Sequence, residues 1–131
     1  MWKETLPDNC PIEGSKEMEE NVFRILKDKD PCDEDFWVHA KKFPNNLRYK
    51  TMCAAYAVSF YNSKEKAAHA INESIGRGNK IGDYIAEYTL KKDHGISKLN
   101  ENSGHLNTWF YSTSQFNIFA PINVIEFTNE N

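Results

Sequence analysis

A helical pattern lies between two strand patterns in the middle of the chain, and this order constrains the fold more than any other feature. Residues 52–61 are apolar on both alternating faces, as in a strand buried on both sides, although their alanines also allow a helix. Ser63 can cap the next segment, whose apolar stripe predicts a helix. Residues 82–90 alternate as a strand again. We therefore expect a strand–helix–strand crossover unit here.

Weaker patterns flank this unit on both sides. Strand patterns occupy residues 21–27, 106–111 and 122–127. Pro31 begins a predicted helix that runs to about residue 42, with three acidic residues at positions 33–35 near its start. The expected fold class is α+β, with a small mixed sheet of about four to five strands and two helices packed on it.

Length and composition indicate an ordinary globular chain. Its 131 residues fit an irregular N-terminal arm over residues 1–20 followed by a single α+β domain over residues 21–131. The net charge is −3 and lysines and arginines are not clustered, which argues against nucleic-acid binding. No apolar run could span a membrane, and the N-terminus lacks the apolar region of a secretory signal, so we expect a soluble, cytoplasmic protein.

The cysteines and histidines do not suggest a disulfide framework or a metal site. Cys10, Cys32 and Cys53 are odd in number and widely spaced, which favours reduced thiols in a cytosolic protein, with Cys53 packed in a strand. The four histidines lie in different segments without the spacing of metal ligands. We therefore expect no metal.

Arg24 is the first candidate for a functional side chain. It shares a strand face with apolar residues, where an unpaired guanidinium is costly. It could form a fork for a carboxylate or phosphate ligand. Alternatively, its strand face is exposed, or an acid such as Glu87 or Glu126 pairs with it.

The ring-rich stretch at residues 104–121 is the second candidate. His105, Trp109 and Tyr111 would share one face of a strand and could stack on a base, a ring or a peptide. The alternative is that these rings fill the core. Serines at 112 and 114 are explained by capping, and no nucleophile motif surrounds them.

Several short segments resemble the general layout of ADP-ribosyltransferase-like domains. They are an early strand with Arg ("VFR"), a strand ending in Ser-Phe ("AVSFY"), a helix starting "SKEKAA" and a strand "YIAEYTL". The resemblance implies that Arg24 contacts NAD, that a Ser-containing strand follows, and that a later Glu does the chemistry. In the corresponding hypothesis, Arg24 holds the phosphates, Ser59 supports them, and His105 or Glu126 acts as the base. The Ser-Thr-Ser tripeptide at 112–114 lies too close to Glu126 for that layout, and the Glu-x-Glu pair is missing. A nucleotide-using transferase that binds NAD is therefore the alternative function.

The preferred hypothesis is a small interaction module, such as an inhibitor, immunity or accessory protein, with no cofactor. Its aromatic residues exceed what the core needs, and interfaces favour aromatic residues. The expected partner is a protein, bound by an aromatic patch of Trp37, Trp109, Tyr111 and Phe116. The acidic segment "DKDPCDED" would steer a basic partner towards it. The oligomeric state stays open.

Overall fold

An antiparallel sheet organises the fold, as seen in a computed structural model that describes residues 1–116 and 119–128. The strands are β1 (Glu20–Leu26), β2 (Val58–Tyr61), β3 (Tyr84–Leu90), β4 (Gly95–Leu99), β5 (His105–Phe110) and β6 (Asn123–Glu126). The α-helices are α1 (His39–Lys42) and α2 (Lys64–Gly76), and short 3₁₀ helices occupy Asp33–Phe36, Leu47–Thr51 and Cys53–Tyr56. Within the described ranges, no helix has the length and apolar character needed to cross a membrane.

The six strands lie in the order β4-β5-β2-β1-β3-β6, and each pair of neighbours is antiparallel. The α+β class is confirmed, but the expectation of a mixed sheet of four to five strands was wrong. Because β2 and β3 both run antiparallel to β1, they are parallel to each other and α2 connects them. The predicted crossover is therefore present, with β1 lying between its two strands.

The two faces of the sheet have different covers. One face packs on α2 through Ala67 and Ile71, which are 0% exposed and contact Ile85. The other face, here called the aromatic face, carries Phe60 and Tyr88 and is covered by Phe36, Phe116 and Phe119. Its rings pack both edge to face, as Phe36 and Tyr88 do, and stacked, as Phe36 and Phe116 do. The cluster on this face is the larger of the two.

The helix predicted over residues 31–42 is broken into two short pieces. Phe36 and Val38 are both buried in the aromatic core, whereas in one continuous helix they would point about 200° apart. Extended backbone at Trp37 (ψ 126°) and Val38 (ψ 157°) turns both side chains inward. The prediction was wrong because burial outweighs the capping and charge signals.

No strand was predicted from the sequence at β4. Its inward positions are Gly95 and Ser97, so it lacks the apolar alternation of a strand. A Cβ on Gly95 would lie 2.2 Å from the Trp109 carbonyl oxygen, so this close approach requires glycine. Ser97 shares a buried 2.7 Å hydrogen bond with Thr108 on β5. Pairing with β5 holds this strand in the sheet.

The N-terminal arm has no helix or named strand before β1 and lies along the sheet. It forms isolated bridges between Trp2 and Tyr111 and between Lys16 and Ser97. A disulfide joins Cys10 in the arm to Cys53. These contacts fix the arm at both ends and in the middle.

The expectation of reduced thiols was therefore wrong for two of the three cysteines. Cys53 lies in a 3₁₀ turn rather than in the predicted strand, and its Cα is 5.4 Å from that of Cys10, a spacing suited to a disulfide. Cys32 is exposed and free. Because disulfides persist mainly outside the reducing cytosol, the bond counts against the expected cytoplasmic location, which stays a prediction.

Candidate functional site

Arg24 directs its guanidinium into the protein rather than toward a ligand site. Its Nη1 donates to the Ser59 carbonyl oxygen at 2.7 Å, and Nη2 and Nε donate to the Asp35 carbonyl oxygen at 2.6 and 3.2 Å. Strands β1 and β2 pair at Phe23 and Tyr61 alone. The hydrogen bond from the guanidinium to the Ser59 carbonyl oxygen therefore joins the two strands where their backbones are not paired. Its five N–H donors are thus mostly directed at neutral backbone oxygens.

The charge of Arg24 has no partner acid among the residues that the structure describes. Burial lowers the pKa of Arg24 from 12.5 to about 10, although the nearby Asp35 carboxylate works in the opposite direction. The group therefore stays charged at neutral pH. The interpretation in which Glu87 or Glu126 pairs with it was wrong within the described residues.

The other residues of the predicted NAD site do not converge on Arg24. Ser59 offers only its backbone oxygen, because its side chain points to the α2 face and that of Arg24 to the aromatic face. His105 packs against Tyr61, with ring centroids 5.3 Å apart. Glu126 is exposed on β6, which is separated from β1 by β3. None of the four lines any of the five main depressions of the described residues.

His105 makes the stability of the fold depend on pH. Burial, and then the charge of Arg24, lower the pKa of His105 below its ordinary value of 6.5. The unfolded chain therefore binds the proton first, so stability is full above about pH 6.5 and falls as the pH decreases toward the folded pKa.

We expect the free energy of unfolding, measured in urea, to be lower at acidic than at neutral pH. His105→Gln should reduce this difference in unfolding free energy. His69→Gln, which removes an exposed imidazole, is the matched control and should not reduce it. An equally steep pH dependence in His105→Gln would contradict this role for His105.

Two residues of the predicted aromatic patch make their contacts within the protein. Trp109 is 1% exposed, and its Nε1 donates to the Cys53 carbonyl oxygen at 3.0 Å. Tyr111 lies 5.1 Å from Trp2 between ring centroids and donates to Glu17 at 2.8 Å. Placing Trp109 on a binding surface was therefore wrong, and Tyr111 mainly anchors the arm.

The other two residues, Trp37 and Phe116, line one depression of about 350 Å³. Trp37 is 36% exposed, and Phe36 forms the floor, where its ring stacks on Phe116 at 4.9 Å. Lys41 lies over the Trp37 ring at 4.4 Å and Lys3 over the Phe116 ring at 4.8 Å. We call this depression the Trp37–Phe116 groove.

A basic surface that the sequence analysis missed lies beside this groove. Residues 39–52, here called the basic segment, contain four cations and no acid. In fact the chain carries no Asp or Glu between Asp35 and Glu65. The whole-chain charge of −3 conceals this segregation, and a running count of charge would have revealed it.

The basic segment also exposes large apolar side chains. Phe43 is 52% exposed, Leu47 74% and Met52 37%. His39, Phe43 and Tyr49 form a triangle of rings with centroids 5.7 to 6.3 Å apart. Exposed apolar side chains that cluster beside charged residues are typical of interaction sites.

Other candidate chemistry is weaker. Ser114 donates to the His94 carbonyl oxygen at 2.8 Å, which is a structural use of its hydroxyl. Across residues 1–116 and 119–128, no three His, Cys, Asp or Glu side chains lie close enough together to hold a metal ion. Comparison with protein families, curated proteins and solved structures finds no match to this chain.

Proposed function

We propose that this protein is a small interaction module that binds a protein partner through an aromatic patch, as an inhibitor, immunity or accessory protein does. The observation that carries the proposal is the groove in which Trp37 and Phe116 meet. These two residues are far apart in the sequence, and the fold brings their rings to one accessible depression.

The chemistry of the groove suits a side chain of a partner protein. A Trp that is 36% exposed beside a buried Phe floor offers a rigid apolar pocket, and such aromatic anchors supply most of the energy of protein interfaces. Lys3 and Lys41 place positive charge over the faces of the rings. Together with Asp33 at the rim, they provide polar contacts around an apolar centre.

The extent of the surface favours a protein over a small molecule. Phe43 and Leu47 continue the exposed apolar area along the chain beyond the groove. A small molecule in a cavity of about 350 Å³ would leave these side chains uncovered, whereas a protein partner can cover both regions. We do not propose NAD binding, because the side chains of Arg24, Ser59, His105 and Glu126 do not converge.

We expect photo-reactive amino acids placed at Trp37 or Gln115 to cross-link the same protein in an extract of the native host. Gln115 is an exposed residue of the groove. A photo-reactive residue at Ile81, which is 37% exposed and lies outside the groove, is the matched control. Cross-linking of that protein from Ile81 alone would contradict the proposal.

The captured protein then allows a quantitative test. Trp37→Ala should weaken its binding by about thirtyfold, the loss typical of an interface hot spot, while Ile81→Ala leaves the affinity unchanged. Titration calorimetry measures both, with circular dichroism to show that the variants fold. Equal affinities for Trp37→Ala and the unsubstituted protein would refute the groove as the binding site.

A further inference from the structure

We infer that the basic segment, residues 39–52, binds an acidic peptide segment that also carries apolar side chains. This inference rests on the proposed function and names the chemistry of the partner. It reverses the sequence-based expectation, in which the acidic segment before residue 36 steers a basic partner.

The charge of the basic segment is left unneutralised by the protein. Lys41, Lys42, Arg48 and Lys50 form no ion pair within the described residues. Lys41 lies over the Trp37 ring, a contact that leaves its charge intact. Four uncompensated cations within ten residues create a local positive field that attracts carboxylates even though the whole chain is acidic.

Lys42 of the basic segment also lies close to two cations outside the segment. Burial lowers the pKa of Lys42, and the charges of Arg24 and Lys27 lower it further, while Asp35 and Glu34 oppose this effect only partly. The acids of the preceding segment therefore do not cancel the positive potential. A partner carboxylate placed here would relieve this repulsion.

The surface is held in shape before a partner binds. The side chain of Asn46 accepts a 3.0 Å hydrogen bond from the Arg48 amide and so caps the 3₁₀ helix Leu47–Thr51. At the end of the segment, the disulfide fixes Cys53 to the arm. A surface that is already ordered loses little conformational entropy on binding, which favours affinity.

The exposed apolar residues distinguish between acidic partners. The bases of nucleic acids stack on aromatic rings. Leu47 and Met52 are exposed but carry no ring, so bases cannot stack on them. Such side chains suit apolar residues of a peptide that lie between its carboxylates. An amphipathic acidic peptide therefore matches both the charge and the apolar area, whereas single-stranded DNA matches only the charge and the rings.

The test uses the full chain with its disulfide formed and follows its backbone amides by NMR. The probe is a short peptide of Asp and Glu with one Phe and one Leu, and the matched peptide replaces the acids by Asn and Gln. We expect the acidic peptide to shift amides of the basic segment and to bind more weakly as salt increases. The amide peptide should cause no such shifts.

Paired variants locate the site. Arg48→Gln with Lys50→Gln should weaken binding of the acidic peptide by about fivefold, as expected for two exposed charge contacts. Lys91→Gln with Lys92→Gln makes the same charge change at an exposed pair outside the segment and should leave affinity unchanged. Phe43→Ala should weaken binding by about tenfold through loss of the ring.

Three outcomes would overturn the inference. They are equal binding of the uncharged peptide, tighter binding of oligothymidylate than of the acidic peptide, and self-association of the chain through its own acidic segment. Cross-linking from Trp37 reports on the groove separately. If it succeeds while the acidic peptide fails to bind, the interaction module stands and only the acidic character of its partner is refuted.

Discussion

Replacing Cys10 and Cys53 by serine is expected to lower the free energy of unfolding by about 4 kcal/mol. The disulfide closes a loop with a sequence separation of 43 residues. In the chain-entropy description, a loop of that length restricts the unfolded chain by about 4 kcal/mol at room temperature. Denaturation in urea, with tryptophan fluorescence as the signal, measures the difference directly.

The same experiment contains its own controls. Cys32→Ser removes the exposed free thiol and should leave the stability unchanged. A reducing agent should destabilise the unsubstituted protein as much as the double substitution does, and it should have no effect on the double variant. If the unsubstituted protein is equally stable with and without reducing agent, the two thiols are not joined in solution.

Loss of the disulfide should also act on the proposed binding surface. The Cys53 carbonyl oxygen accepts the hydrogen bond from the Trp109 indole, and residue 53 directly follows the basic segment. Releasing Cys10 frees one end of this arrangement. In the double variant the basic segment is less ordered before the peptide binds. The acidic peptide should therefore bind this variant more weakly, because part of the binding energy is then used to order the segment.

Elements governed by local periodicity were predictable from the sequence. Helix α2 has a Ser63 cap that accepts a 3.1 Å hydrogen bond from the Lys66 amide, and its apolar stripe faces the sheet. Strand β3 has the alternation of a strand with two unlike faces. In both elements the local pattern and the tertiary packing require the same structure, so the pattern alone is sufficient.

Elements that depend on distant contacts were not predictable. Residues 53–56 carry the apolar residues of a buried strand, yet they form a 3₁₀ helix between the disulfide at Cys53 and β2. Strand β4 exists through its pairing with β5 and carries little apolar signal of its own. Such segments acquire their structure from partners whose positions a single sequence does not reveal.

The candidate site was predictable only in part, for a related reason. Of the four predicted residues, Trp37 and Phe116 line one groove, and their role in binding stays a prediction. The prediction of a surface position fails for Trp109, because strand periodicity cannot show that the protein itself covers this ring. The basic segment was visible as a run without acids, but only when charge is counted by segment instead of over the whole chain.

Arg24→Met is expected to lower the free energy of unfolding by about 3 kcal/mol. The substitution keeps much of the side-chain volume but leaves the carbonyl oxygens of Ser59 and Asp35 without their donors. Hydrogen bonds to a charged group contribute about 1.5–3 kcal/mol each, and the substitution removes three of them. Part of this loss is regained, because methionine carries no charge whose burial is costly. Urea denaturation measures the change.

The comparison with two other variants separates a structural from a ligand-binding role for Arg24. Lysine can direct its ammonium at one carbonyl oxygen but cannot form the fork, so Arg24→Lys should be intermediate in stability. Arg77→Met, which removes an exposed guanidinium, should change stability by less than about 0.5 kcal/mol. If Arg24→Met were as stable as the unsubstituted protein and had lost binding of NAD in an NMR titration, the guanidinium would serve a ligand. A large loss of stability, with no NAD binding by the unsubstituted protein, would instead establish that Arg24 holds β1, β2 and the turn at Asp35 together.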